Sequence, residues 1–227
     1  MEKVAILVDG GFYQKRAREL FGKKTPAERA QELHDYCVLH LWSHRGKGDK
    51  HGSYDDLYRI FYYDCYPSER KIYHPLLQSS IDLRKTEQYE WMTDFLKEIC
   101  QKRRVALRTG ELLESSDGYR LKPVVLKKLF RGVLKLDDIT ERDFYLDIEQ
   151  KGVDMKIGLD IASIAFKKQA SKIVLISGDS DFVPAAKNAR REGIDFVLDP
   201  MGKNIKESLS EHIDGLTTKV DVYKKKR

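Results

Sequence analysis

The stretch KIVLISGDSDFVPAAKNAR, residues 172–190, sets two carboxylates, Asp179 and Asp181, two positions apart just after an apolar run. KIVLI reads as a buried strand and residues 182–192 as a helix, so both acids fall where a strand gives way to a helix. One Asp there can be a helix cap, a role open to Ser177, Asp179 or Ser180. Two invite a cation. Acids recur in similar places: Asp9 follows the strand-like run VAILV, and Asp154 lies in EQKGVDMKIGLD. In open parallel sheets, ligands bind beyond the carboxyl ends of the strands, so neighbouring strands would bring these acids together. Hard divalent cations such as Mg²⁺ take oxygen ligands, commonly one or two carboxylates with waters and substrate phosphates. The set suits metal-assisted attack of water on a phosphodiester. Asp160 follows Asp154 by six residues, about 240° around a continuous helix. Both can reach one site only if Asp154 lies in the turn before the helix, which Gly152 allows.

The elements that must position these acids follow from periodicity. KVAILVDGG opens with a fully buried parallel strand, and Gly10 and Gly11 permit a tight turn into a helix. Residues 26–44 show helical spacing of apolar residues, with Thr25 and Pro26 as cap and first-turn proline. LYRIFYYDCY (57–66) reads as a strand, 87–101 as a helix and 105–112 as a strand. Residues 156–169 and 204–213 read as helices, and IDFVL as the last strand. Alternating strands and helices predict a doubly wound, Rossmann-like α/β fold, its sheet mostly parallel with helices on both faces. A single domain over 1–227 is expected, with 113–143 an insertion that holds a hairpin at SSDGYRLKP, and 222–227 a solvated, disordered basic tail.

Apolar residues make up 41% of the chain and charged residues 34%, which excludes a disordered protein. The strand at Lys3 leaves no room for a signal peptide and no apolar run spans a membrane, so a cytoplasmic protein is expected. The three cysteines form no CxxC pair, and no His pair has metal-ligand spacing. A net charge of +6 fits a polyanion partner. Lys15, Arg16 and Lys187 are the candidate phosphate contacts, with Ser177 beside them at the strand end, although a solvated helix face explains such lysines equally well. Phe61, Tyr62 and Tyr63 read as core rather than a base-stacking platform.

At ILVDGGFYQKR, KGVDMKIGLDIASIAF and VLISGDSDFVPAAKNARREGIDFVL the chain resembles the NYN family of PIN-like ribonucleases. The resemblance covers under half the chain, in the expected order. It implies a PIN-like sheet and Mg²⁺- or Mn²⁺-dependent endonucleolytic cleavage of RNA, with DNA as an alternative substrate and a homo-oligomer left open. It also places Asp9, Asp154, Asp160 and Asp179 on the family's acidic, metal-binding positions and Asp181 on the partner acid of SGDSDF. Many members carry Asn where this chain has Phe12, so no amide contact carries over. Two rivals stand beside it. A haloacid-dehalogenase-like phosphatase also has an Asp after its first strand, but Gly11 occupies its acid/base position. A noncatalytic RNA binder of the same fold would gain nothing from concentrated negative charge.

Overall fold

The computed structural model of the protein describes residues 3–44, 50–51, 53–112, 118–148 and 150–225. Residues 45–49 and 52, the start of the SSDGYRLKP stretch and tail residues 226 and 227 lie outside that set.

Six strands form the central sheet: β1 (Val4–Asp9), β2 (Leu57–Asp64), β3 (Val105–Thr109), β4 (Lys172–Ile176), β5 (Asp195–Asp199) and β6 (Gly215–Leu216). Their order is β6-β5-β4-β1-β2-β3 and every neighbouring pair is parallel. The direction of winding reverses between β1 and β4, where open α/β sheets leave a crevice. Successive side chains of a strand point to opposite faces. Val4, Ile6 and Val8 accordingly join one core with Tyr13, Leu33 and Phe95. Ala5 and Leu7 join the other with Ile157, Ile161 and Ala186. Burial on both faces is what makes VAILV read as an unbroken apolar run.

Helices α1 (Gly10–Phe21), α2 (Pro26–Val38) and α3 (Glu87–Cys100) cover the first face. α2 starts with the capping box foreseen at Thr25, closed by Glu28, with Pro26 in its first turn. It stops at Val38, short of residue 44, and Leu39–Leu41 tighten into a 3₁₀ turn that buries all three residues. The helices α5 (Val153–Phe166) and α6 (Val183–Arg191) cover the other face. Phe61, Tyr62 and Tyr63 are core, as expected.

Between β3 and α5 the chain departs from expectation. Gly118–Leu121 pairs antiparallel with the distant Phe144–Asp147, not with an adjacent segment, and α4 (Pro123–Phe130) follows it directly. A separate hairpin, Lys71–His74 with Ser79–Asp82, joins this group by inserting the buried His74 ring between Tyr119 and Phe144, at 4.4 and 4.8 Å between centroids.

The helix foreseen at 204–213 shrinks to α7 (Glu207–Ser210), because the chain after β5 first makes a turn in which Met201 donates its N–H to Asp199 Oδ1 at 2.7 Å. The basic tail is also corrected, since Val220–Lys225 forms α8. Tyr223 anchors it in a buried ring cluster, 5.1 Å from Phe21 and 6.0 Å from Tyr36. Among the described residues no helix is long and apolar enough to cross a membrane.

Candidate active site

Asp9 ends β1 and is the N-cap of α1. Its Oδ1 accepts the Phe12 N–H at 3.1 Å and its Oδ2 accepts the Ser177 hydroxyl at 3.0 Å. Ser177, fully buried just beyond β4, also accepts the Asp179 N–H at 3.3 Å. It therefore ties the two strand ends together and positions acids. The expectation that it meets substrate gives way to this role. Asp179 caps the following turn by accepting the Asp181 N–H at 3.0 Å, so it serves as both cap and member of the acidic rim. Among the described residues, neither Asp154 nor the Asp181 carboxylate accepts a hydrogen bond.

The charges of these acids bear on one another. Burial raises the Asp9 carboxyl first; the bonds from Phe12 and Ser177 oppose the shift, and the charges of Asp64 and Asp179 add to it. Asp154 is raised by partial loss of water, then by Asp9, Asp179 and Asp181, even though the residue as a whole faces solvent. Carboxylates crowded in this way oppose each other's ionisation until a cation offsets them.

Asp160 stands apart. α5 is one helix from Val153, so Asp154 already lies in its first turn and the two acids diverge. The Asp160 Oδ2 atom is taken up by the Tyr63 hydroxyl at 2.8 Å and by Arg108 Nε at 3.1 Å. Its expected place among metal ligands is thus filled by an ion pair instead.

Asp64 is an acid that sequence reasoning missed, although it ends β2 as Asp9 ends β1. It is buried and accepts from Tyr62 Oη at 2.9 Å, the Cys65 N–H at 2.8 Å and Gln150 Nε2 at 3.1 Å. Burial raises its carboxyl, against the pull of those three bonds. Gly10 explains how Asp9 and Asp64 come so close. A Cβ at Gly10 would lie 2.5 Å from Asp64 Oδ2, 2.5 Å from the Tyr63 carbonyl and 2.7 Å from Tyr62 Oη. One of these atoms is backbone and cannot swing away. Gly10→Ala should therefore cost about 1–3 kcal/mol, read as a shift in the urea midpoint; an unchanged midpoint would mean that β1 and β2 separate freely here.

The remaining candidates divide. Arg16 is largely committed, donating to the Met201 carbonyl at 2.8 Å and pairing with Glu19 at 2.5 Å, so it anchors the turn after β5. Lys187 lines a shallow depression with Arg190, Arg191 and Asp195, at the end of the sheet where β5 begins, opposite the acids. Lys15 is exposed on α1. Phe12 packs against Gly178, where a Cβ would come within 2.8 Å of the ring, and Lys203 lies 6.0 Å from that ring's centroid.

Among the described residues no three His, Cys, Asp or Glu side chains are drawn together closely enough to hold a metal ion by themselves. The donors at the rim are all carboxylate oxygens. That suits Mg²⁺ or Mn²⁺, hard ions that keep several waters and complete their shell with substrate phosphates. Asp9, Asp154 and Asp179 fit such a cation; Asp160 does not.

No curated protein matches the chain in sequence. Among solved structures, the crystal structure of a protein of unknown function from Vibrio parahaemolyticus RIMD 2210633 aligns with the chain at 14% identity and a TM-score of 0.44, covering 95% of this chain and 91% of that one. The NYN domain family model matches residues 92–216, more than half the chain; the matched span holds Asp154, Asp160, Asp179 and Asp181, while Asp9 precedes it. By that match, on a parallel sheet with acids gathered at its winding reversal, the chain belongs to the NYN domain family of PIN-like nuclease domains.

Proposed function

We propose that the protein is a metal-dependent ribonuclease that cuts RNA phosphodiesters internally at the rim built from Asp9, Asp154, Asp179 and Asp181. The observation that carries this reading is the mutual proximity of acids from three chain segments beyond the carboxyl ends of β1 and β4. A bound Mg²⁺ or Mn²⁺ would supply an activated water and offset charge on the phosphate. The chain's own residues set the stage for this. Asp9 is fixed by two donors and cannot rotate away, and Ser177 holds Asp179 in step with it. Asp181, whose carboxylate accepts no hydrogen bond among the described residues, is free to take the proton of the attacking water at one of its oxygens.

Purified protein incubated with end-labelled single-stranded and structured RNAs, and with matched DNAs, should yield internal cuts in RNA that need Mn²⁺ or Mg²⁺ and stop with EDTA. Hydrolysis of a simple phosphomonoester with no cleavage of RNA would refute the proposal. A saturating ion should also raise the melting temperature, since a ligand present at 100 times its Kd stabilises the folded state by about 2.7 kcal/mol. An Asp160→Asn variant should keep that rise, having no part in holding the ion. Loss of the rise in this variant would return Asp160 to the ligand set.

A further inference from the structure

A groove of about 750 Å³ runs between α1 and α3, lined by none of the rim acids. Lys15, Arg18 and Lys23 line it, all three are exposed, and among the described residues none of them has an ion-pair partner. Its other cations are already engaged: Lys24 and Arg29 both pair with the buried Glu32. Glu19 is taken by Arg16, which leaves Glu87 as the acid facing the three free cations. The groove is therefore a positive surface next to an acidic rim. It also has an aromatic wall. Trp91 lines it beside Met92, held by a stack on Phe95 (5.4 Å between centroids, planes within 4°) and by donating Nε1–H to the Lys24 carbonyl at 2.9 Å.

The groove connects directly to the site. α1 starts at the residue after Asp9, and Gln14, which lines the groove, donates to Tyr62 Oη at 3.4 Å, the same hydroxyl that holds Asp64. Lys15 and Arg18 sit one turn apart on α1, with Lys23 just past its end. At 1.5 Å per residue the path from Gly11 to Phe21, the last residue of α1, is about 15 Å, room for several phosphates of an extended strand.

We infer that this groove binds the flank of a single-stranded RNA whose scissile phosphate lies at the acidic rim. Lys15, Arg18 and Lys23 contact its phosphates, and Trp91 with Met92 receives an unpaired base. This assignment rests on the ribonuclease proposal for the choice of RNA. Unpaired bases are what an aromatic wall can stack, whereas a duplex hides their faces.

The test is binding of a fluorescein-labelled, mixed-sequence 12-nucleotide RNA, by anisotropy in EDTA across a salt series. The wild-type protein should bind it more tightly than the matching 12-bp duplex. Lys15→Ala/Arg18→Ala/Lys23→Ala should bind about tenfold more weakly, and its plot of log K against log[salt] should be shallower by about 2, the value for three lost phosphate contacts on a single strand. The chain has two tryptophans, Trp42 and Trp91. RNA should quench the emission of Trp42→Phe protein, in which Trp91 alone reports, and leave that of Trp91→Phe protein unchanged. Equal affinity and slope in the triple variant, preference for the duplex, or quenching confined to Trp91→Phe protein would each overturn the groove assignment while leaving the nuclease proposal intact. RNA held in the groove as described, with no cleavage under any divalent cation, would instead overturn the nuclease proposal and leave the groove standing.

Discussion

Asp9→Asn should lower RNA cleavage by about three orders of magnitude, the effect of losing several kcal/mol of transition-state stabilisation at 1.36 kcal/mol per decade. It should do so without harming the fold. Asn is as good an N-cap as Asp, so its Oδ1 can keep the Phe12 N–H while its amide turns a donor to Ser177 Oγ. The loss therefore belongs to the charge and not to the helix start. The pH dependence of stability separates the two further. Burial raises the Asp9 carboxyl in the folded chain, so the folded state holds this proton more tightly than the unfolded one. Its contribution makes stability fall as pH climbs from the ordinary carboxylate value of about 3.9 through the raised value. Above that window the penalty is fully present; below it, absent. Asp9→Asn should remove this part of the decline and be at least as stable as the parent at neutral pH without added metal. Urea midpoints from pH 3.5 to 7.5, with cleavage assays on the same preparations, decide the matter. A variant that cleaves RNA at the parental rate would reduce Asp9 to a helix cap.

Asp199→Ala should be the most destabilising single change at the carboxyl end of the sheet, at about 3–5 kcal/mol out of a total of roughly 5–15 kcal/mol for a protein of ordinary stability. Asp199 is fully buried; its Oδ2 accepts from Tyr36 Oη at 2.6 Å and lies 2.9 Å from His40 Nε2, while its Oδ1 accepts the Met201 N–H. The Tyr36 hydroxyl in turn accepts the Lys219 N–H at 3.3 Å, so one carboxylate joins α2, the turn after β5 and the chain leading into α8. Alanine leaves these buried donors unpaired, which is the costly outcome. Asp195→Asn at the other end of β5 is the matched control. Its carboxylate pairs with Lys172 at 3.0 Å on an exposed edge, a contact worth at most about 1 kcal/mol. Equal urea midpoints for the two variants would show that the Asp199 network adds no stability.

These two aspartates also show what the sequence could and could not reveal. Asp9, Asp64 and Asp199 each end a strand; periodicity puts Asp9 and Asp199 just after apolar runs, but it carries the second strand past Asp64 to residue 66. Only packing tells them apart: Tyr36 and His40 close over Asp199, Gly10 lets Asp64 approach Asp9, and Asp9 remains at the rim. The strands and long helices of the sheet were legible because apolar periodicity and caps such as Thr25–Glu28 are local signals. The partners of Asp160 were not legible because they are Arg108 and Tyr63, brought to it by β2 and β3 from distant parts of the chain. The pairing of Gly118–Leu121 with Phe144–Asp147 was hidden for the same reason, since the two segments lie far apart in sequence. Tyr223 turned a run of basic residues into a docked helix, through ring contacts with Phe21 and Tyr36 that charge counting does not register.

The order of the sheet has a consequence for biosynthesis. β1 leaves the ribosome first, yet it is a central strand, flanked by β2 on one edge and by β4, which starts at Lys172, on the other. At 5–20 residues per second, the edge that awaits β4 stays open for roughly 10–30 s of translation. During that time VAILV, uncharged and without proline, is the kind of segment that pairs with other chains. Slower growth temperature or a holding chaperone should therefore raise the soluble yield by protecting that one edge, and a nascent chain stalled before Lys172 should collect in aggregates.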